Sequence, residues 1–294
     1  MKILSLSLFL FLSIPSYAKI NIIASSQDLK SIAEYVGGEE VSVESLSPGG
    51  FDIHFIEPRP SMVFKLKKAD MVVKIGLDLD MWTDSLINAA KNEKIFYGKE
   101  GYVDASAGID IMQKPDKKID GSSGDIHIFG NPHYWLNPEN GKIIAKNIKL
   151  GLLRIKPEKK EYFEKRYSDF CRKIDDKMKV WKSDMSAFAG EKIITYHNSW
   201  IYFAQAFDLQ VAANIEPKPG IPPNANHLSF LFELIKKEKI KIILVDNFYS
   251  LNTPKEIANK TGARLIVIPS SVAGENSASD YFSLFDVIIK KIKD

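Results

Sequence analysis

The chain has 294 residues, 45% of them hydrophobic, which is enough to bury two modest cores and excludes a disordered protein. Lysine plus arginine number 40 against 37 for aspartate plus glutamate, so charge gives no reason to expect nucleic acid or acidic lipid as a partner. The single cysteine, Cys171, excludes an internal disulfide and reads as a small core residue.

Residues 1–18 carry one charge at Lys2, an apolar run from Ile3 to Ile14 and the small-residue pattern Ser16-Tyr17-Ala18. This is the pattern of a secretory signal peptide cut after Ala18, and its apolar run is well short of the ~20 residues that span a bilayer. No cysteine follows the run, so no lipid anchor is expected and the mature protein is placed free in a periplasm.

From Lys19 short β-like runs alternate with helical ones. Ile20–Ser25 reads as a strand, Gln27–Val36 as a helix, Val41–Leu46 as a strand leading into the loop Ser47–Pro60, Ser61–Ala69 as a helix and Met71–Ile75 as a strand. Asp80–Asn92 follows as a helix and Tyr102–Ala105 as a short strand. Strands alternating with helices imply parallel pairing covered by helices. Between Ser106 and Asn131 the periodicity fails, which predicts a mobile surface loop. Asn137-Pro138-Glu139 then supplies an N-cap, a first-turn proline and an early acid for a helix reaching about Leu153.

From Pro157 to about Ala189 the apolar residues Phe163, Tyr167, Phe170, Ile174, Met178, Trp181, Met185 and Phe188 recur at steps of three or four, with charged and polar residues between them. At ~1.5 Å per residue such a helix is roughly 50 Å long, suited to joining two lobes. Beyond Gly190 the alternation resumes, with strands over Lys192–Tyr196, Val211–Ile215, Ile240–Val245 and Arg264–Ile268, and helices over Ser199–Phe207, His227–Glu238, Thr253–Thr261 and Ser279–Ile292. The expected organisation is a signal peptide (1–18), an N-terminal α/β lobe (19–156), a long linking helix (157–189) and a C-terminal α/β lobe (190–294). Each lobe is a mostly parallel sheet flanked by helices, and little besides the helix is expected to connect them.

The chain has five histidines. His54 follows the second strand of the first lobe and His197 directly follows the first strand of the second. Ligands in open α/β sheets bind outside the carboxyl ends of strands, so these two should face one cleft. His133 precedes a helix start. Neutral imidazole is a preferred ligand of zinc and related ions. His227 begins a helix and reads as structural, while His127, six residues before His133, is an accessory candidate.

The segments FDIHFIEPRPS, GNPHYWLNPENGKIIAKNI, ITYHNSWIYFAQAFDLQ, IEPKPGIPPNANHLSFL and SDYFSLFD together resemble the metal-binding solute-binding proteins of bacterial zinc and manganese ABC importers, in particular the zinc-specific branch. The similarity covers the mature chain in the family's order. It implies two lobes on a backbone helix, with the metal between them and handed to a membrane permease. It places the metal ligands on His54, His133 and His197; manganese-selective members have glutamate at the third position, so His197 favours Zn2+. Many members supply a fourth, aspartate ligand where this chain has Pro269-Ser270-Ser271, leaving water, Glu275 or His127 for that place. Release is expected to follow a slight movement of one lobe about the helix. The alternatives are manganese or another divalent ion on the same scaffold, or an organic or metal-chelate ligand. An enzyme is not expected, since no H-E-x-x-H occurs and Glu57 is the obvious carboxylate near a ligand. A shuttle to a permease needs no more than a monomer.

Overall fold

The computed structural model describes residues 18–115 and 127–294. The signal-peptide reading therefore falls almost wholly outside the described residues, as does most of the second half of the Ser106–Asn131 loop.

The first sheet contains β1 (Ile20–Ala24), β2 (Val41–Ser45), β3 (Met71–Lys74) and β4 (Tyr102–Asp104), all parallel in the order β2-β1-β3-β4. The second contains β5 (Lys192–Thr195), β6 (Gln210–Asn214), β7 (Ile242–Asp246) and β8 (Arg264–Ile268), parallel in the equivalent order β6-β5-β7-β8. Central strands such as β3 and β7 are buried along their whole length, which explains their apolar runs over 71–73 and 242–245. The flanking helices of the first half are α1 (Gln27–Gly37), α2 (Pro60–Lys67), α3 (Trp82–Ala90) and α4 (Pro138–Ile155). Asn137 caps α4 as its sequence predicts, its side chain accepting from the Glu139 N–H at 2.9 Å.

The long helix α5 spans Lys160–Met185, 26 residues or about 39 Å, shorter than the 157–189 expected. Its two ends are single 3-10 turns, Pro157–Lys159 and Ser186–Phe188. At the start Lys156 lies outside the helical region (φ −130°, ψ 72°), and at the end Ala189 is extended before Gly190 turns left-handed at φ 77°. The predicted stripe is otherwise present: Phe163, Phe170, Ile174, Met178, Trp181 and Met185 are buried. Cys171 sits beside that stripe and is half-buried, not a core residue; partial burial pushes its thiol above the ordinary value.

The remaining helices are α6 (Ile201–Ala206), α7 (Ala225–Glu238), α8 (Asn252–Thr261) and α9 (Tyr281–Lys293). Helix α9 carries the main departure from the sequence reading. A capping box of Asp280 and Ser283 opens it, and its buried face packs on α5 and on α1 of the other half. Tyr35 of α1 meets both Phe170 of α5 and Phe282 of α9 edge-on. The Tyr281 N–H donates to Ser31 Oγ, and the Tyr281 hydroxyl donates to the Trp135 carbonyl at 2.6 Å. One apolar core consequently runs from Ile20 through α5 to Ile292. The halves are joined by far more than one helix, because the chain's C-terminal segment returns across the boundary to cover the N-terminal half.

Candidate metal centre

The three histidines expected to converge do so. His54 lies in a 3-10 turn, Ile53–Phe55, between β2 and α2; His133 precedes a similar turn, Tyr134–Leu136, which leads into α4; His197 stands two residues beyond β5. Their ring centroids are 5.3 Å (His54–His133), 5.1 Å (His54–His197) and 5.3 Å (His133–His197) apart. One ring nitrogen from each lies within 4.8 Å of the other two. His133 and His197 are 4% and 5% exposed, so the rings meet out of bulk water.

Each ring is held by its other nitrogen. His54 Nδ1 is 2.6 Å from Asp52 Oδ1, an oxygen that also accepts from the His54 N–H at 3.0 Å. His133 repeats this two-residue arrangement with Asn131, whose Oδ1 accepts from both the His133 N–H and Nδ1 at 3.0 Å. The Asn131 amide is turned that way because its Nδ2 donates to Gln113 Oε1 and to the Asn198 carbonyl. His197 Nδ1 is 2.8 Å from Glu216 Oε2, supplied by the loop after β6. A carboxylate or amide oxygen can only accept, so each Nδ1 carries the hydrogen and each Nε2 presents a lone pair, as in histidines that bind metal.

The electrostatics favour a neutral ring at His133. Burial, with the neighbouring His54 and His197, holds His133 well below the ordinary imidazole value. Burial alone raises Asp52, but its hydrogen bond and charge interaction with His54 outweigh this and leave the carboxyl below its usual range. The second Asp52 oxygen accepts from the Tyr249 hydroxyl at 3.1 Å, which ties the site across both halves.

Other candidates resolve differently. His227 is structural: its Nε2 sits 2.9 Å from the Asn214 carbonyl oxygen. Glu275 pairs with Lys291 and Ser277 and does not line the cavity beside the rings. Glu57 is exposed. Of the aromatic residues near the histidines, Tyr134, Trp135, Trp200 and Tyr202 are buried, while Phe51 and Phe55 are exposed. The orienting residues were not singled out from the sequence. Asp52 and Asn131 could have been, since a polar side chain two residues before each histidine is a local turn signal. Glu216 carries no such signal.

The cavity is lined by the three histidines together with Asp28, Tyr249 and Ser270 among others, and leaves about 30 Å³ of free space. That suits an ion with a water molecule and is too small for an organic ligand. Asp28 is wholly buried; its Oδ1 accepts from the Val272 N–H at 2.9 Å while its Oδ2 has no partner. Burial pushes its pKa up to about 7 from 3.8. A carboxyl raised in the folded state contributes stability that is complete below pH ~4 and lost as pH rises through about 7, to the extent of about 4 kcal/mol. Asp28→Asn is therefore expected to raise the melting temperature of the metal-free chain at pH 8 and leave it nearly unchanged at pH 4, as read by calorimetry.

The profile of one protein family, described as "ZnuA: Zinc-uptake complex component A periplasmic", matches residues 22–294. The chain belongs to this family. As a ZnuA-family protein it is an extracytoplasmic, metal-binding substrate-binding protein of an ABC transporter, and the family delivers its metal to the transporter's permease. A manganese ABC transporter substrate-binding lipoprotein, PsaA, from Streptococcus anginosus is 26% identical over 285 residues, covering 94% of this chain and 89% of that protein. A metal ABC transporter substrate-binding lipoprotein from Lactococcus lactis is 28% identical over 274 residues, covering 90% and 84%. Both are named lipoproteins, in contrast to the anchor-free reading of this sequence. Among solved structures, a zinc-bound deletion mutant of ZnuA superposes with a TM-score of 0.79 at 25% identity, covering 94% of this chain and 97% of that one. A manganese-bound periplasmic metal binding protein from Candidatus Liberibacter asiaticus has the same fold, with a TM-score of 0.78 at 20% identity and coverages of 94% and 99%. Among the described residues no helix is long and apolar enough to cross a membrane.

Proposed function

We propose that this protein captures zinc with His54, His133 and His197 and hands it to the permease of an ABC importer, working as a periplasmic monomer. On this reading residues 1–18 are the export signal, and the lobes 19–156 and 190–294 enclose the ion on either side of the helix region 157–189.

The observation that carries the reading is where the oxygens go. Manganese prefers carboxylate and water oxygens, whereas imidazole suits zinc. The carboxylates nearest the rings are already used to orient them: Asp52 is bonded to His54 and Tyr249, and Glu216 to His197 and the Gly220 N–H. Of the carboxylates lining the cavity only Asp28 keeps an oxygen without a partner, and burial pushes its pKa up to about 7, so the inward-facing donors are chiefly the three ring nitrogens. The small cavity supports a bare ion over an organic or chelated ligand. Manganese is the second reading, because relatives such as PsaA are named for it. A titration of the metal-stripped mature chain separates the two: zinc is expected to bind one per chain and to exclude manganese.

A further inference from the structure

A fourth histidine lies against the cluster. His127 Nε2 is 3.2 Å from His54 Nε2, with the rings 5.3 Å apart, and the His127 ring is 6.1 Å from that of His133. Its Nδ1 is bonded to Asp78 Oδ1, and the other Asp78 oxygen accepts from the Ile128 N–H at 2.9 Å. One carboxylate thus holds both the ring and the adjoining backbone. The His127 and Asp78 side chains are only 13% and 11% exposed.

Asp78 reaches this position through an unusual turn. Gly76, Leu77 and Asp78, just beyond the carboxyl end of β3, have φ of 77°, 51° and 64°. Consecutive left-handed residues that are not glycine are costly, and such strain persists where the surrounding structure holds it in place. Here the turn aims Asp78 at His127.

The facing nitrogens supply the chemical argument. His54 Nδ1 faces the Asp52 carboxylate and His127 Nδ1 faces that of Asp78, so each ring is turned with its Nε2 toward the other. The two Nε2 atoms are 3.2 Å apart, near enough for one cation to be reached by both. Nitrogens bound tetrahedrally to zinc at 2.0–2.1 Å stand about 3.3 Å apart, close to the His54–His127 separation; His127 stands outside the 4.8 Å group of the other three and has to swing toward them to complete the shell.

We infer that His127 is a fourth nitrogen ligand, approaching from the His54 side, and that Asp78 is the residue that positions it. The inference rests on the zinc reading of the three-histidine site and adds to it how the ion is retained. Four nitrogens close the coordination shell, and loss of His127 from the ion opens the position through which zinc leaves. This needs no separation of the two halves, which share one core.

The test is zinc dissociation into excess chelator by stopped flow, on the wild-type mature chain, His127→Ala, His127→Gln, Asp78→Ala and His197→Ala, with the visible absorption of each after loading with cobalt(II). Both His127 variants and Asp78→Ala are expected to release zinc about 10- to 100-fold faster. In the His127 variants the cobalt band should weaken as water enters the open position, and added imidazole should restore it in His127→Ala. Unchanged release and cobalt spectra in both His127 variants, with His197→Ala still impaired, overturn the fourth-ligand assignment and leave the three-histidine site intact. An effect of the His127 variants that Asp78→Ala does not share overturns the role of Asp78. If His197→Ala also behaves as wild type, the zinc reading itself is the one that fails.

Discussion

Replacing His197 with alanine is expected to weaken zinc binding at least about a thousandfold, a loss of about 4 kcal/mol. Two effects combine. On the proposed reading the ion loses a coordinating nitrogen, and the partly buried Glu216 carboxylate loses the ring N–H that it accepts at 2.8 Å. Glu216→Ala keeps the ligand and removes only its orienting partner, so it should cost less, about 10- to 100-fold. A chelator-competition titration of both variants reads the difference. Equal losses would mean that His197 acts through its surroundings and not as a ligand.

The second large effect concerns the frame that holds the site. Trp181→Ala is expected to destabilise the chain by about 3–5 kcal/mol. Trp181 is 1% exposed on α5, its ring lies 5.2 Å from Phe285, and its Nε1 donates to Asp286 Oδ1 at 2.8 Å. The substitution opens a cavity where α5 meets α9. Asp286 keeps its ion pair with Lys177, so the loss is mainly one of packing. Because one core runs through both halves, urea unfolding should remain a single transition at a lower midpoint, with near-UV and far-UV dichroism coincident. Two separate transitions would show that the halves fold independently, contrary to the continuous core.

Much of this was legible in the sequence because the deciding interactions are local. The buried strands announce themselves as apolar runs, and Asn137-Pro138-Glu139 announces a helix start. Strand-end topology brings His54 and His197 together, since a parallel sheet sends its carboxyl ends to one side. What was not legible depends on residues distant in sequence. Glu216 reaches His197 across 19 residues and Asp78 reaches His127 across 49, and neither carries a local mark. The return of α9 onto α1 is of the same kind: an amphipathic pattern shows that a helix has an apolar face but not which neighbour covers it. The overlong reading of α5 has a different cause. Pro157 and Phe188 fit the periodicity, but hydrogen bonding at a helix end tightens to 3-10 turns without changing the sequence pattern.

The Asp52-Ile53-His54 and Asn131-Pro132-His133 segments show how local chemistry fixes two imidazole rings. In each, one side-chain oxygen captures the backbone N–H and the ring Nδ1 of the residue two places on, so the turn that positions the ring also sets its tautomer. The two rings are therefore arranged in advance, and on the proposed reading little ordering cost is left for metal binding.

The central claim is that inward-facing nitrogen selects zinc. Its most direct test is a competition of zinc and manganese for the metal-stripped mature chain, with bound metal counted per chain at equilibrium. The account predicts one zinc per chain, retained against at least about a thousandfold excess of manganese, as expected where imidazole and not carboxylate meets the ion. Manganese bound as tightly as zinc, or neither ion bound, would contradict it.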